Sequence, residues 1–183
     1  MSANHAAFNL IFRFIENYVS PIAGRISSQR HVMAIRDGFI SAMPFMIVGS
    51  FLLVFAYPPF SPDTTWGFAR GWLDLAKQYE GRILTPFDMT MGIMSIYICA
   101  AIAYNLGKHY AKSYQLDPFM CAMLSLMAFL LVAAPKTSGT LPVDSLGGTG
   151  IFTAILVAIY CVEMMRFLKA HNIGIRLPDQ VPR

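Results

Sequence analysis

The chain has 183 residues, of which 56% are hydrophobic and only 13% are charged, with a formal net charge of +4. A soluble domain carries about 25% charged residues. Here the charges also leave long gaps: Gly38–Pro62, Met89–Gly107, Pro118–Pro135 and Ser145–Val162 contain none. That pattern excludes an ordinary water-exposed globular fold.

Each gap is long enough, the third narrowly, for a membrane span of about 17–25 residues. Backbone groups in hydrocarbon must satisfy one another, so a span is a helix or part of a closed barrel. A barrel strand alternates in polarity, and the run MIVGSFLLVFA (Met46–Ala56) does not. The expectation is an all-α polytopic membrane protein with about four transmembrane helices and two amphipathic interfacial helices.

In chain order, residues 6–20 read as the first amphipathic helix, with Phe8, Ile11, Phe12, Ile15 and Val19 on one face. It can lie among headgroups or pack on the bundle. Arg13 and Glu16 interrupt its apolar stretch, so no cleavable signal peptide is read there. A basic stretch with Arg25, Arg30, His31 and Arg36 leads to the first span, 39–57. Pro44 inside that span predicts a kink, with Ser41 placed to satisfy the freed carbonyl.

Residues 62–80 read as the second amphipathic helix, with Ser61 as N-cap and Pro62 as first helical residue. Trp66, Ala69, Trp72, Leu73, Ala76 and Tyr79 share one face, which suits the membrane–water interface. Thr85 is expected to cap the second span, 89–107, with Asp88 at the positive end of its dipole. Lys108–Asp117 is read as a connector. Asp117 then caps the third span, 118–134, whose seventeen residues reach about 25 Å. A glycine-rich loop with Gly147, Gly148 and Gly150 lacks the GxxxxGK[ST] spacing of a phosphate loop. It reads as a tight entry into the fourth span, 151–168.

On this topology ten basic residues lie on the side of the termini and four on the other. The positive-inside rule therefore predicts both termini in the cytoplasm. The net charge reflects this bias and calls for no nucleic-acid partner.

Glu163 is the one candidate ionisable residue within a span, the kind of residue that marks transport or gating. Arg166, three residues on, is within helical pairing reach, so a structural ion pair is the competing reading. His5, His31, His109 and His171 read as surface or interface residues. Cys99, Cys121 and Cys161 lie inside apolar runs with neither an even count nor a CxxC spacing, and read as small packing residues. No catalytic, substrate-binding or metal-binding residue is assigned, and no cofactor.

The run QRHVMAIRDGFISAMPFMIVGSFLLV (Gln29–Val54) resembles the start of the lactose/cellobiose family of sugar permeases. These are the enzyme IIC components of the bacterial phosphoenolpyruvate-dependent phosphotransferase system. Three further segments fit in order: TMGIMSIYICAAIAYNLG (Thr90–Gly107), LGGTGIFTAILVAIYCVEM (Leu146–Met164) and IRLPDQVP (Ile175–Pro182).

The resemblance implies a multi-pass homodimer in the bacterial cytoplasmic membrane. It would take up a cellobiose- or lactose-like β-disaccharide and present it to a cytoplasmic enzyme IIB for phosphorylation. Family permeases are far longer, and their sugar-contacting histidine and glutamate lie in the carboxy-terminal half. His31 and Glu163 do not correspond to those residues, and the buried cysteines cannot be the phosphocysteine of an enzyme IIB. Residues 1–183 are thus expected to be the amino-terminal part of a permease, with the sugar-binding part absent and no transport by this chain alone. Two other readings stand beside it. One is a non-transporting dimerisation or interaction module, or a remnant, in which Ala100, Ala101 and Ala103 allow close helix contact. The other is an autonomous four-span exporter dependent on Glu163.

Overall fold

A computed structural model describes residues 24–25, 27–133 and 143–173. Among them there is no strand. Five helices follow in order: α1 (Arg30–Ala56), α2 (Gly67–Phe87), α3 (Met94–Tyr114), α4 (Pro118–Ala133) and α5 (Ile151–Ala170). A π-helical turn, Asp88–Gly92, joins α2 to α3, and a 3₁₀ turn, Gly148–Gly150, leads into α5. Three helical stretches are long and apolar enough to cross a membrane: Arg30–Ala56, Gly67–Tyr114 and Gly148–Ala170. Pro118–Ala133 is a shorter apolar helix. The amphipathic helix expected at 6–20, the LPDQVP segment and His5 lie outside the described residues.

α3 is the central mast, with α1, α4 and α5 packed around it, and α2 leans on α1. Ile98, Ile102 and Leu106 of α3, Phe129 of α4 and Val162 of α5 are fully buried. Lipid tails are as apolar as leucine, so such helices associate through close packing and not through exclusion of water. Small residues make the contact possible. Ala34, Gly38 and Ala42 form one stripe on α1, and Ala154 and Ala158 another on α5, all buried. At Gly38 an added Cβ would overlap the Ile102 side chain and stand 2.9 Å from its backbone nitrogen. The close-contact stripes therefore lie chiefly on the helices that face α3. Of Ala100, Ala101 and Ala103, only Ala103 is fully buried.

Several boundaries differ from the sequence-based expectations. α1 starts at Arg30, nine residues before the expected span, and α3 runs on to Tyr114, so the connector shrinks to Gln115–Asp117. In both cases charge ends the apolar run without ending the helix. Gln115, at φ 51° in the left-handed region, stops α3. Ser41 donates to the Asp37 carbonyl, one turn before the carbonyl of Ile40 that Pro44 frees. The second amphipathic helix begins at Gly67 behind Trp66, and Ser61 and Pro62 do not cap it.

Thr85 is not a cap either: its hydroxyl donates to the Gly81 carbonyl within a continuing helix. The chain passes Pro86 because the next turn widens. The Thr90 hydroxyl satisfies the Pro86 and Phe87 carbonyls at 2.9 and 3.0 Å. π-turns of this kind are a recognised cause of helix bends. By contrast, Asp117 caps α4 as expected, accepting the Phe119 amide at 2.8 Å.

Candidate functional site

Chain alternation brings the start of α1 and the ends of α3 and α5 to one side of the bundle. A polar cluster sits there, centred on Glu163 of α5. Its Oε1 accepts hydrogen bonds from the Tyr110 hydroxyl of α3 at 2.6 Å and pairs with Nε2 of His31 on α1 at 2.8 Å. Arg166 brings Nε to 2.7 Å from Oε2. That Nε–H is not aligned for a hydrogen bond, so this contact is Coulombic. The Arg166 guanidinium stands 5.2 Å from the Tyr110 ring centre and 5.7 Å from that of Tyr114. Arg30 approaches the same Tyr110 ring at 5.5 Å.

This arrangement is a clip. A single carboxylate ties three helices together at one end, and every partner depends on it. The expected Glu163–Arg166 ion pair is present. His31 lies at the end of the bundle with its side chain 42% exposed, in keeping with an interface residue, but the sequence did not foresee its bond to Glu163, 132 positions away. Tyr110 was missed because it lies beyond the expected end of its span. One signal was available: His31, Tyr110 and Glu163 fall on the same side of the predicted topology. His109 is half-buried, and His171 is exposed against the Phe167 ring.

The opposite end is built differently. Ser95, at the start of α3, donates both its amide, at 3.1 Å, and its hydroxyl to the carbonyl of buried Leu146. An added Cβ on Gly150 would meet the Ser145 carbonyl and stand 2.9 Å from the Ser95 hydroxyl oxygen. The glycine-rich stretch is thus a packed turn clamped against α3, as the expected tight entry requires. Beyond it, Phe60, Trp66, Phe68 and Trp72 form a chain of edge-on and tilted ring contacts. The Trp72 indole donates to the Phe55 carbonyl at 3.2 Å. An apolar groove of about 780 Å³ opens between α2 and the end of α1, with Arg82 at its lining.

The bundle between these ends is mostly apolar. Ser95 and Ser125 are the buried polar residues among those described. Cys99, Cys121 and Cys161 are buried free thiols. Among the described residues, no three His, Cys, Asp or Glu side chains converge in a way that could hold a metal ion. Charge is polarised along the bundle. The end bearing the clip has seven basic side chains against three acidic ones among the described residues, and the other has three against five.

Apolar helices of this length, packed through small residues and polar only at their ends, define a multi-pass integral membrane protein. The chain belongs to the phosphotransferase system EIIC family, whose family model matches residues 36–183. It is 36% identical to the cellobiose-specific EIIC component of Geobacillus stearothermophilus, over 93% of this chain and 39% of that protein. It is 31% identical to the lichenan permease IIC component of Bacillus subtilis (strain 168), over 95% of this chain and 40% of that protein. A lactose-specific EIICB component of Streptococcus mutans is 33% identical, over 88% of this chain and 28% of that protein.

Among solved structures, the transporter ChbC is the IIC component of the N,N'-diacetylchitobiose-specific phosphotransferase system. It superposes with a TM-score of 0.74 at 33% identity, covering 93% of this chain and 40% of its own. The chain thus spans about two fifths of the length of the IIC proteins it matches.

Proposed function

We propose that residues 1–183 act as the amino-terminal scaffold of a sugar-phosphotransferase permease for a β-linked disaccharide of the cellobiose or lactose type. The supporting observation is collinearity: the chain follows IIC relatives over 93% of its length but only about two fifths of theirs. In this reading α1, α3, α4 and α5 hold the framework, and the residues that contact sugar lie outside these 183. The described bundle interior is in keeping with that division, because its buried side chains are apolar apart from Ser95 and Ser125. No catalytic, substrate-binding or metal-binding role is proposed for any residue here.

Both termini face the cytoplasm in this account, supported by the basic excess at the end that carries the clip. A cytoplasmic enzyme IIB is the proposed phosphoryl donor, in keeping with the relatives named EIICB components. Homodimerisation is proposed through the outer surfaces of the amino-terminal helices. The expected test is uptake of labelled cellobiose by cells expressing only these 183 residues together with functional IIA and IIB proteins. Uptake at the level of cells lacking the chain is expected. Uptake above that level would overturn the scaffold reading.

The interaction-module reading is favoured by one observation, the apolar groove between α2 and α1. Co-purification of the tagged chain with a complete IIC permease is its expected signature. The exporter reading finds less support, because Glu163 sits near a helix end and already has three partners.

A further inference from the structure

Two arginines crowd the clip, and its carboxylate answers only one of them. Arg166 lies against Glu163, yet its Nε–H has no hydrogen-bond acceptor. Arg30 forms no ion pair with any carboxylate among the described residues. Both guanidiniums approach the Tyr110 ring, at 5.5 and 5.2 Å from its centre, so two cationic forks from different helices border one aromatic side chain. Arginine forks match the oxygens of a phosphate, to which they donate paired hydrogen bonds.

The position selects the kind of phosphate. The cluster sits where α1, α3 and α5 end, at the end of the bundle with the basic excess. Tyr114, partly exposed one turn beyond Tyr110, stands where tyrosines mark the headgroup level of a bilayer. Tyr160, Met164 and Phe167 are exposed along one stripe on a different face of α5 from Arg166, so acyl chains can border the same helix. Basic pockets between spanning helices are suited to anionic headgroups.

We propose that Arg30 and Arg166 together bind the phosphate of an anionic phospholipid headgroup. The lipid then screens the two arginines from each other and secures the helix ends that Glu163 ties together.

The test uses the full chain in a neutral detergent, with bound lipid counted by native mass spectrometry after addition of phosphatidylglycerol or phosphatidylcholine. Phosphatidylglycerol is expected to be retained over phosphatidylcholine. Arg30→Gln is expected to lower that retention about fivefold, the effect of one basic residue on an anionic membrane surface. Arg30→Gln with Arg166→Gln is expected to abolish the preference. Arg36→Gln, at a residue already paired with Asp37, should leave it unchanged. Arg30→Gln touches none of the Glu163 contacts, so it decides the matter even if loss of Arg166 disturbs folding. Equal retention of the two lipids, or undiminished phosphatidylglycerol binding in Arg30→Gln, overturns the proposal. So does displacement of the lipid by millimolar inorganic phosphate, which would assign the arginines to a free anion.

Discussion

α2 and α3 are each 21 residues long and follow one another along the chain, yet they have opposite environments. α3 buries eight residues, from Ser95 to Tyr110, and touches every other spanning helix. α2 buries only Ala69 and Ala76 and leaves Phe68, Leu75 and Tyr79 exposed. The π-turn at Asp88–Gly92 is where one regime gives way to the other. α2 carries five charged side chains and α3 two lysines, so the two differ in polarity as well as in packing. In α3 the apolar residues matter because other helices pack on them, since lipid solvates an apolar side chain as well as another helix would.

Substitutions can break or sharpen this contrast. The largest effect is expected at the α1–α3 contact. Gly38→Leu forces a side chain into the Ile102 backbone, and overpacking beyond the usual cost of about 1–3 kcal/mol should prevent recovery of folded protein from detergent. This is read as loss of the monodisperse peak in size-exclusion chromatography.

Ile102→Ala removes a fully buried side chain from α3. It should cost about 2–5 kcal/mol in reversible unfolding followed by circular dichroism. Glu163→Gln takes away the charge that faces His31 and Arg166 but keeps a polar group for Tyr110. A loss of about 1–3 kcal/mol is expected, and proteolysis should become faster near residue 30. At the other end, Trp72→Phe deletes the donor to the Phe55 carbonyl while keeping the ring. It should cost about 1 kcal/mol. Leu75→Ala, on the exposed face of α2, should stay within about 0.5 kcal/mol of the parent. A Leu75→Ala loss equal to that of Ile102→Ala would erase the contrast.

Much of this architecture was legible in the sequence. The charge gaps located α4 and α5 almost to the residue, and Asp117 was recognisable as a cap because Asp-Pro is a local signal. The ends of α1 and α3 were not legible. Arg30, Lys108 and Lys112 mark where side chains meet water, whereas the backbone can stay helical well past that point. Thr85-Pro86 read as a helix start because proline usually breaks a helix. The Thr90 hydroxyl bonds that let the helix continue depend on a widened turn that composition does not encode.

The clip was half legible. Glu163 stood out as the lone acid of its span, and Arg166 lay within local reach. His31 and Tyr110 come to it through tertiary packing alone. Only a correct topology puts all three on the same side of the bundle.

The central claim is that these 183 residues form a packed membrane scaffold without a sugar site of their own. Titration of the purified chain in detergent with cellobiose, followed by isothermal calorimetry, tests it most directly. The account predicts no saturable heat up to millimolar sugar, in a sample whose circular dichroism shows the helices intact. Saturable binding of cellobiose by that sample would contradict it.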